Sequence, residues 1–220
     1  MSLSGEGFDL LTYKGVDIKL QHLFSKHAVQ NSKGQIQFTF YDQFDSVCDK
    51  EILGLTSLKK ASSGVSTINL NPSSKTLFIA SSYADLIFFS KQFSSRMEFQ
   101  NASFLIVGAD FNRDLILYNL NIFSSSIRVI TLFENTILGK IMDSLIYNYI
   151  NKIDALYIIE DDKIIVKVGN KKNYSFPVSS FSLRTFSKKF WKKSQVRTYK
   201  PKLKGIDSFY QLNQHYSSLL

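Results

Sequence analysis

The stretch Arg128-Val129-Ile130-Thr131-Leu132-Phe133-Glu134-Asn135-Thr136-Ile137-Leu138-Gly139 reads as a buried strand that passes through a polar elbow into a helix. The elbow is where a metal site is expected, yet it carries one carboxylate, Glu134, with Thr136 two residues on. A hard cation such as magnesium takes several oxygen ligands, usually with carboxylates among them, so Glu134 followed by Asn and Thr makes a poor holder.

Upstream of this elbow the same rhythm repeats. Thr76 to Ala80 is a short apolar strand and Tyr83 to Phe93 an apolar helix. Phe104 to Gly108 and Asn112 to Ile122 form the next strand and helix, and Ile127 to Phe133 with Ile137 to Ile150 the third pair. Ala155 to Ile159 is a fourth candidate strand. Short apolar strands alternating with helices predict an α/β fold with a mostly parallel sheet covered on both faces, because parallel neighbours need crossover connections.

The flanks differ in character. Before the repeat, Gly15 to Leu20 is expected as a strand, Gln21 to Gln30 as a helix, and Ile36 to Tyr41 and Val65 to Leu70 as strands. After it, Ile158 to Glu160 and Lys163 to Val168 flank an Asp161-Asp162 turn in a hairpin, with Asn173 to Phe176 as a further edge strand. A helix capped by Ser179 or Ser180 is expected to run to Lys193, then a strand from Val196 to Tyr199, and a terminal helix from Ile206 to Leu219. The division read from this is 1–70 as an N-terminal extension, 71–160 as the core, and 161–220 as a basic C-terminal α/β elaboration packed with the core.

A hydrophobic fraction of 44% over 220 residues is enough for a real core. No run approaches the roughly 18 apolar residues that cross a bilayer, and the N-terminus lacks the layout of a secretory signal. These features predict a soluble, cytoplasmic protein. The single cysteine, Cys48, excludes an internal disulfide and a thiolate cluster. His22 and His27 are five apart, off the spacing that stacks side chains on one helical face, which argues against a paired metal site.

The net charge of +9 is concentrated. Residues 163–206 contain thirteen Lys and Arg and no acid, whereas the remainder holds fourteen basic against eighteen acidic residues. Such asymmetry marks a surface that meets a polyanion, since each neutralised phosphate releases condensed counterions. A solvated lysine-rich face that maintains solubility accounts for the same run equally well.

Two motifs carry a resemblance. The run Leu77-Phe78-Ile79-Ala80-Ser81-Ser82-Tyr83-Ala84-Asp85 and the run Phe133 to Gly139 fit, in order and spacing, the two signature strands of the Toprim fold of primases, topoisomerases and related nucleases. The lead-in Lys50-Glu51-Ile52-Leu53-Gly54 with Gly64 to Ile68, and the tail Lys200-Pro201-Lys202-Leu203-Lys204-Gly205-Ile206-Asp207, resemble flanking segments of Toprim proteins of Bacteroidetes mobile elements and primase-like genes. The resemblance spans about Lys50 to Leu212. Against the family pattern, Ser81 stands for Glu, Ser82 for Gly, Glu134 for the first Asp of an Asp-x-Asp pair, and Thr136 for the second; Asp85 agrees.

In the family that the chain resembles, the first acid assists proton transfer and the acidic pair holds magnesium against a phosphodiester. The substitutions therefore imply a catalytically impaired Toprim-like protein with no cofactor, magnesium entering only if activity remains. The leading expectation is a nucleic-acid-binding or accessory protein of DNA replication or mobilisation, with DNA or RNA as partner. Its expected phosphate contacts are Lys188, Lys189, Lys192, Lys193, Arg197, Lys200, Lys202 and Lys204, with Trp191 or Tyr199 stacking on bases if exposed. One alternative is a residual metal-dependent phosphodiester enzyme of primase or nuclease type that uses Glu134 with Asp85 or Asp110. The other is a protein-interaction module in which the crevice is scaffold.

Overall fold

Alternate residues of the strand Thr76–Ala80 enter two different cores. Phe78 and Ala80 join one apolar cluster and Leu77 and Ile79 the other. A strand whose side chains point alternately up and down does this only when both faces of its sheet are covered, as a parallel sheet requires. The computed structural model describes residues 7–124, 126–169, 172–190 and 195–218.

Two short helices open the chain, α1 (Asp9–Tyr13) and α2 (Ile18–Ser25), followed by β1 (Ala28–Gln30), β2 (Ile36–Tyr41), β3 (Val47–Leu53) and β4 (Leu58–Lys59). The repeat comprises β5 (Ser66–Ile68), β6 (Thr76–Ala80), α3 (Tyr83–Phe93), β7 (Ser103–Ile106), α4 (Arg113–Leu120), β8 (Arg128–Thr131) and α5 (Ile137–Asn151). Then come β9 (Ala155–Glu160), β10 (Lys163–Val168), β11 (Lys172–Pro177), α6 (Leu183–Ser187), β12 (Val196–Thr198) and α7 (Phe209–Ser217).

The central sheet has the order β12-β8-β6-β7-β5. Its first four strands are parallel, and β5 lies antiparallel on β7. One face is covered by α1, α2, α3, α7 and the antiparallel sheet β1-β2-β3-β4, through residues such as Leu11, Phe24, Phe38, Phe89 and Phe209. The other is covered by α4, α5, α6 and the antiparallel sheet β11-β10-β9, through Ile116, Ile146, Ile164, Val166 and Phe186. An isolated bridge between Tyr41 and Val65 ties the first small sheet to the lead-in of β5.

Several expectations change here. Gly15 to Leu20 is not a strand: the Asp17 carboxylate accepts from the Lys19 N–H and starts α2, so a side-chain cap overrides the apolar alternation. Ala155 to Ile159 does not continue the parallel sheet but pairs antiparallel with β10. The fourth parallel strand is instead β12, only three residues long, which returns to the open edge of β8. The helix expected from Ser179 or Ser180 begins later. A 3-10 turn occupies Val178–Ser180, and Ser182 with Thr185 forms the capping box of α6. Among the described residues, no helix is long and apolar enough to cross a membrane.

Candidate functional site

The carboxyl ends of β6 and β8, neighbouring parallel strands, release the chain into Ser81-Ser82 and into the Leu132 to Thr136 loop. Each elbow starts a helix with a hydroxyl cap. The Ser82 Oγ accepts from the Asp85 N–H at 3.0 Å and opens α3, while the Thr136 Oγ1 accepts from the Gly139 N–H at 3.1 Å and opens α5. Ser81, Ser82 and Asp85 on one side, and Glu134 and Thr136 on the other, thus follow the carboxyl ends of adjacent parallel strands, where open α/β sheets place ligands. Ser81 is buried with its hydroxyl unpartnered.

Between the two elbows lies an ammonium. Lys60, just past β4, reaches Asp85 Oδ2 at 3.3 Å and also pairs with Glu134 Oε1. Burial pushes the Lys60 pKa down, but the Asp85 and Glu134 carboxylates outweigh it and hold the amine above its ordinary value. The loop that carries Lys60 is pinned from both sides. The Asp49 carboxylate accepts from the Ser62 N–H and hydroxyl, both at 2.7 Å, and the Ala109 N–H donates to the Ala61 carbonyl at 2.9 Å. The Ser62 hydroxyl is the main reason that the Asp49 carboxyl drops to about 2.

A second lysine closes the floor. Lys200 Nζ stands 2.8 Å from Asp143 Oδ2, and donates to the carbonyls of Phe133 at 2.6 Å and Glu134 at 3.1 Å. Thr131 donates its hydroxyl to Asp143 Oδ1 at 2.6 Å. Burial pushes the Asp143 carboxyl up, against the pull of Lys200 and Thr131.

Glu51 completes the network from β3. Fully buried, it accepts the N–H groups of Tyr83 at 2.9 Å and Ala84 at 2.8 Å, the first free donors of α3. Burial nevertheless raises its carboxyl to about 8, with the helix N–H groups opposing and Asp85 adding to the rise. Asp85 is also fully engaged: its Oδ2 accepts from the Ser82 hydroxyl at 2.9 Å and its Oδ1 from the Tyr210 N–H at 3.0 Å.

The donor set does not fit magnesium. Asp85 and Glu134 each hold Lys60, and the Thr136 hydroxyl caps α5, so an incoming cation would have to displace a side chain that already carries the positive charge. Among the described residues no three His, Cys, Asp or Glu side chains gather as a metal group. Asp110 follows β7 on an exposed loop, its backbone N–H bonded to the Ser62 carbonyl at 2.6 Å.

The basic residues disperse. Lys188 and Lys189 are exposed just past α6, and Lys202 and Lys204 are exposed in the turn before α7. Arg197 is exposed on edge strand β12, whereas Lys200 points inward to Asp143. Tyr199 is half-buried, packed edge-on against Phe89 and Phe93 at ring separations of 5.3 and 5.4 Å. Trp191, Lys192 and Lys193 lie outside the described residues.

Lys60, Glu51 and Asp143 are among the site residues that sequence reasoning missed. Lys60 meets Glu134 across 74 positions, a pairing with no local signature. Glu51 had one available signal, a single acid placed next to the Ile52-Leu53 apolar pair in a half-buried strand.

No family model matches the chain, and no curated protein does. Among solved structures, the chain is similar to a chain in the structure of bacteriophage T7 lagging-strand DNA polymerase interacting with primase domains of two gp4 subunits bound to an RNA/DNA hybrid and dTTP. The identity is 12%, the match covers 94% of this chain and 86% of that one, and the TM-score is 0.41. It is similar also to the primase fragment of the bacteriophage T7 primase-helicase protein, at 12% identity over 100% of this chain and 76% of that one, with a TM-score of 0.40. Likenesses at this level leave its activity to be argued from its own residues.

Proposed function

We propose that this chain is a non-catalytic, Toprim-like nucleic-acid-binding module. The observation that carries the reading is the Lys60 ammonium seated between Asp85 and Glu134 at the carboxyl end of the parallel sheet. Phosphodiester chemistry assisted by a metal needs carboxylates that an exchangeable cation can reach, and here a side-chain cation takes them. Ser81 offers a hydroxyl where a proton-transferring acid would be needed, and hydroxyls do not ionise near neutrality.

The nucleic-acid part rests on the net charge of +9 and on the exposed cations Lys188, Lys189, Arg197, Lys202 and Lys204. Binding of labelled single-stranded DNA and RNA, titrated at increasing salt, tests it: affinity that falls steeply with salt is expected. No binding at low salt, or binding indifferent to salt, sinks it. Magnesium- or manganese-dependent cleavage or synthesis that disappears in Glu134→Ala would instead establish a residual enzyme.

A further inference from the structure

The opposite end of the sheet carries a second feature. At the amino ends of β6, β8 and β12 an open groove of about 1470 Å³ runs over the face that α3 covers elsewhere. Small-molecule pockets measure roughly 300 to 1,000 Å³, so this groove has the capacity of a polymer track.

Parallel register explains which side chains meet there. Thr76 pairs with Arg128, Phe78 with Ile130, and Ile130 with Arg197. Partners in register share a face, and so do residues two apart along a strand, which places Arg128 and Arg197 on the same face above the apolar floor of Phe78 and Ile130. Lys75 joins them from the lead-in to β6, and Arg96 from the turn that ends α3.

All four cations are exposed, and none forms an ion pair among the described residues. The one acid on the described lining, Glu98, accepts from the Asn101 amide at 2.5 Å. Three of the four cations come from outside the acid-free stretch 163–206, from a part of the chain that is acidic in sum. Their gathering in one groove is a product of folding that linear charge does not show.

Resting on the nucleic-acid reading above, we propose that this groove is the track for the phosphodiester backbone of a single nucleic-acid strand. Arg96, Lys75, Arg128 and Arg197 meet successive phosphates, with the Asn and Ser side chains of the rim as neutral donors. Neighbouring β-strands stand about 5 Å apart, so the cations cross the groove at intervals short enough for each to meet its own phosphate. Arginine suits the role because its planar fork binds phosphate oxygens in pairs. The strand lies at the end of the sheet away from the Lys60 crevice.

Fluorescence anisotropy with labelled oligo(dT) and oligo(U), across a salt series, tests this on the full chain. Arg96→Glu/Arg128→Glu is expected to weaken binding by about tenfold or more, and removing two phosphate contacts lowers the slope of log affinity against log salt by about 1.4. Arg96→Lys/Arg128→Lys, which keeps the charge and loses the fork, is expected to bind between the native protein and the glutamate variant, and native-like circular dichroism of both variants is the folding control. If the native protein binds and only Lys188→Glu/Lys189→Glu weakens it, the groove assignment is overturned while the nucleic-acid reading stands. If the native protein binds neither oligonucleotide, both fall. Equal binding of poly-glutamate, lost in the same groove variant, overturns the assignment in favour of an acidic protein partner.

Discussion

Lys200 donates to Asp143 at 2.8 Å and to the two carbonyls that begin the Glu134 loop, so one ammonium joins the tail of the chain to α5 and to the elbow after β8. Asp143 is almost completely buried and Lys200 largely so. Breaking such a pair from one side leaves an uncompensated charge in the interior, which costs about 3 to 5 kcal/mol. Lys200→Met is expected to lose stability of that order in urea denaturation, and Lys200→Met/Asp143→Asn to recover much of it. A double variant as unstable as the single one would show that the loss comes from packing and not from charge.

Stability should fall as pH rises through neutrality because of Glu51. Its folded carboxyl is raised to about 8 against an ordinary value of 4.5, so between these values the folded state holds a proton that the unfolded state has released. The contribution is fully present below about pH 4.5 and is lost as pH rises towards 8, by on the order of a few kcal/mol. Glu51→Gln, which cannot titrate, should flatten that slope in denaturation curves collected from pH 5 to 8.

Removing the tethered cation should open the crevice to an ion. In Lys60→Ala the Asp85 and Glu134 carboxylates face each other without a counter-charge, and manganese binding is expected by calorimetry or electron paramagnetic resonance at concentrations where the native protein shows none. Equal manganese binding by both proteins would contradict the role assigned to Lys60.

Gly139 has no room for a side chain, since a Cβ built there lands on the Glu134 carbonyl. Gly139→Ala must push the elbow away from α5, at about 1 to 3 kcal/mol. Thr136→Ala, which removes only the cap, is expected to cost about 1 kcal/mol. Thermal unfolding of the two variants separates the effects, the glycine substitution being the larger.

How much of this was legible in the sequence depended on the range of the interaction. Thr76 to Ala80 and Tyr83 to Phe93 were read with the bounds observed, because the apolar runs that mark them act within a few residues. The hairpin of β9 and β10 was equally plain from its Asp161-Asp162 turn. Ala155 to Ile159 was misplaced because an apolar strand reads alike whether its partner is parallel or antiparallel. The three-residue β12 was read as a strand, but nothing in it announces β8, more than sixty residues earlier, as its partner.

The candidate site divides in the same way. Glu134 and Thr136 were visible as a polar elbow after an apolar strand, and Ser81, Ser82 and Asp85 were singled out by the Toprim resemblance of their run. Lys60 lies on a short irregular segment fixed by Asp49 and by the loop after β7, contacts set only by the final fold. The groove cations Lys75, Arg96 and Arg128 were hidden because each sits among neutral or acidic neighbours and acquires company only through strand register.

The ammonium held between Asp85 and Glu134 has a consequence for how this crevice meets its surroundings. A bound ion comes and goes with supply, can be stripped by a chelator, and can be replaced by a competitor of similar size. A charge on a lysine stem cannot diffuse away, and a chelator cannot strip it. The positive charge beside Asp85 and Glu134 is therefore inherited with the polypeptide instead of being drawn from solution.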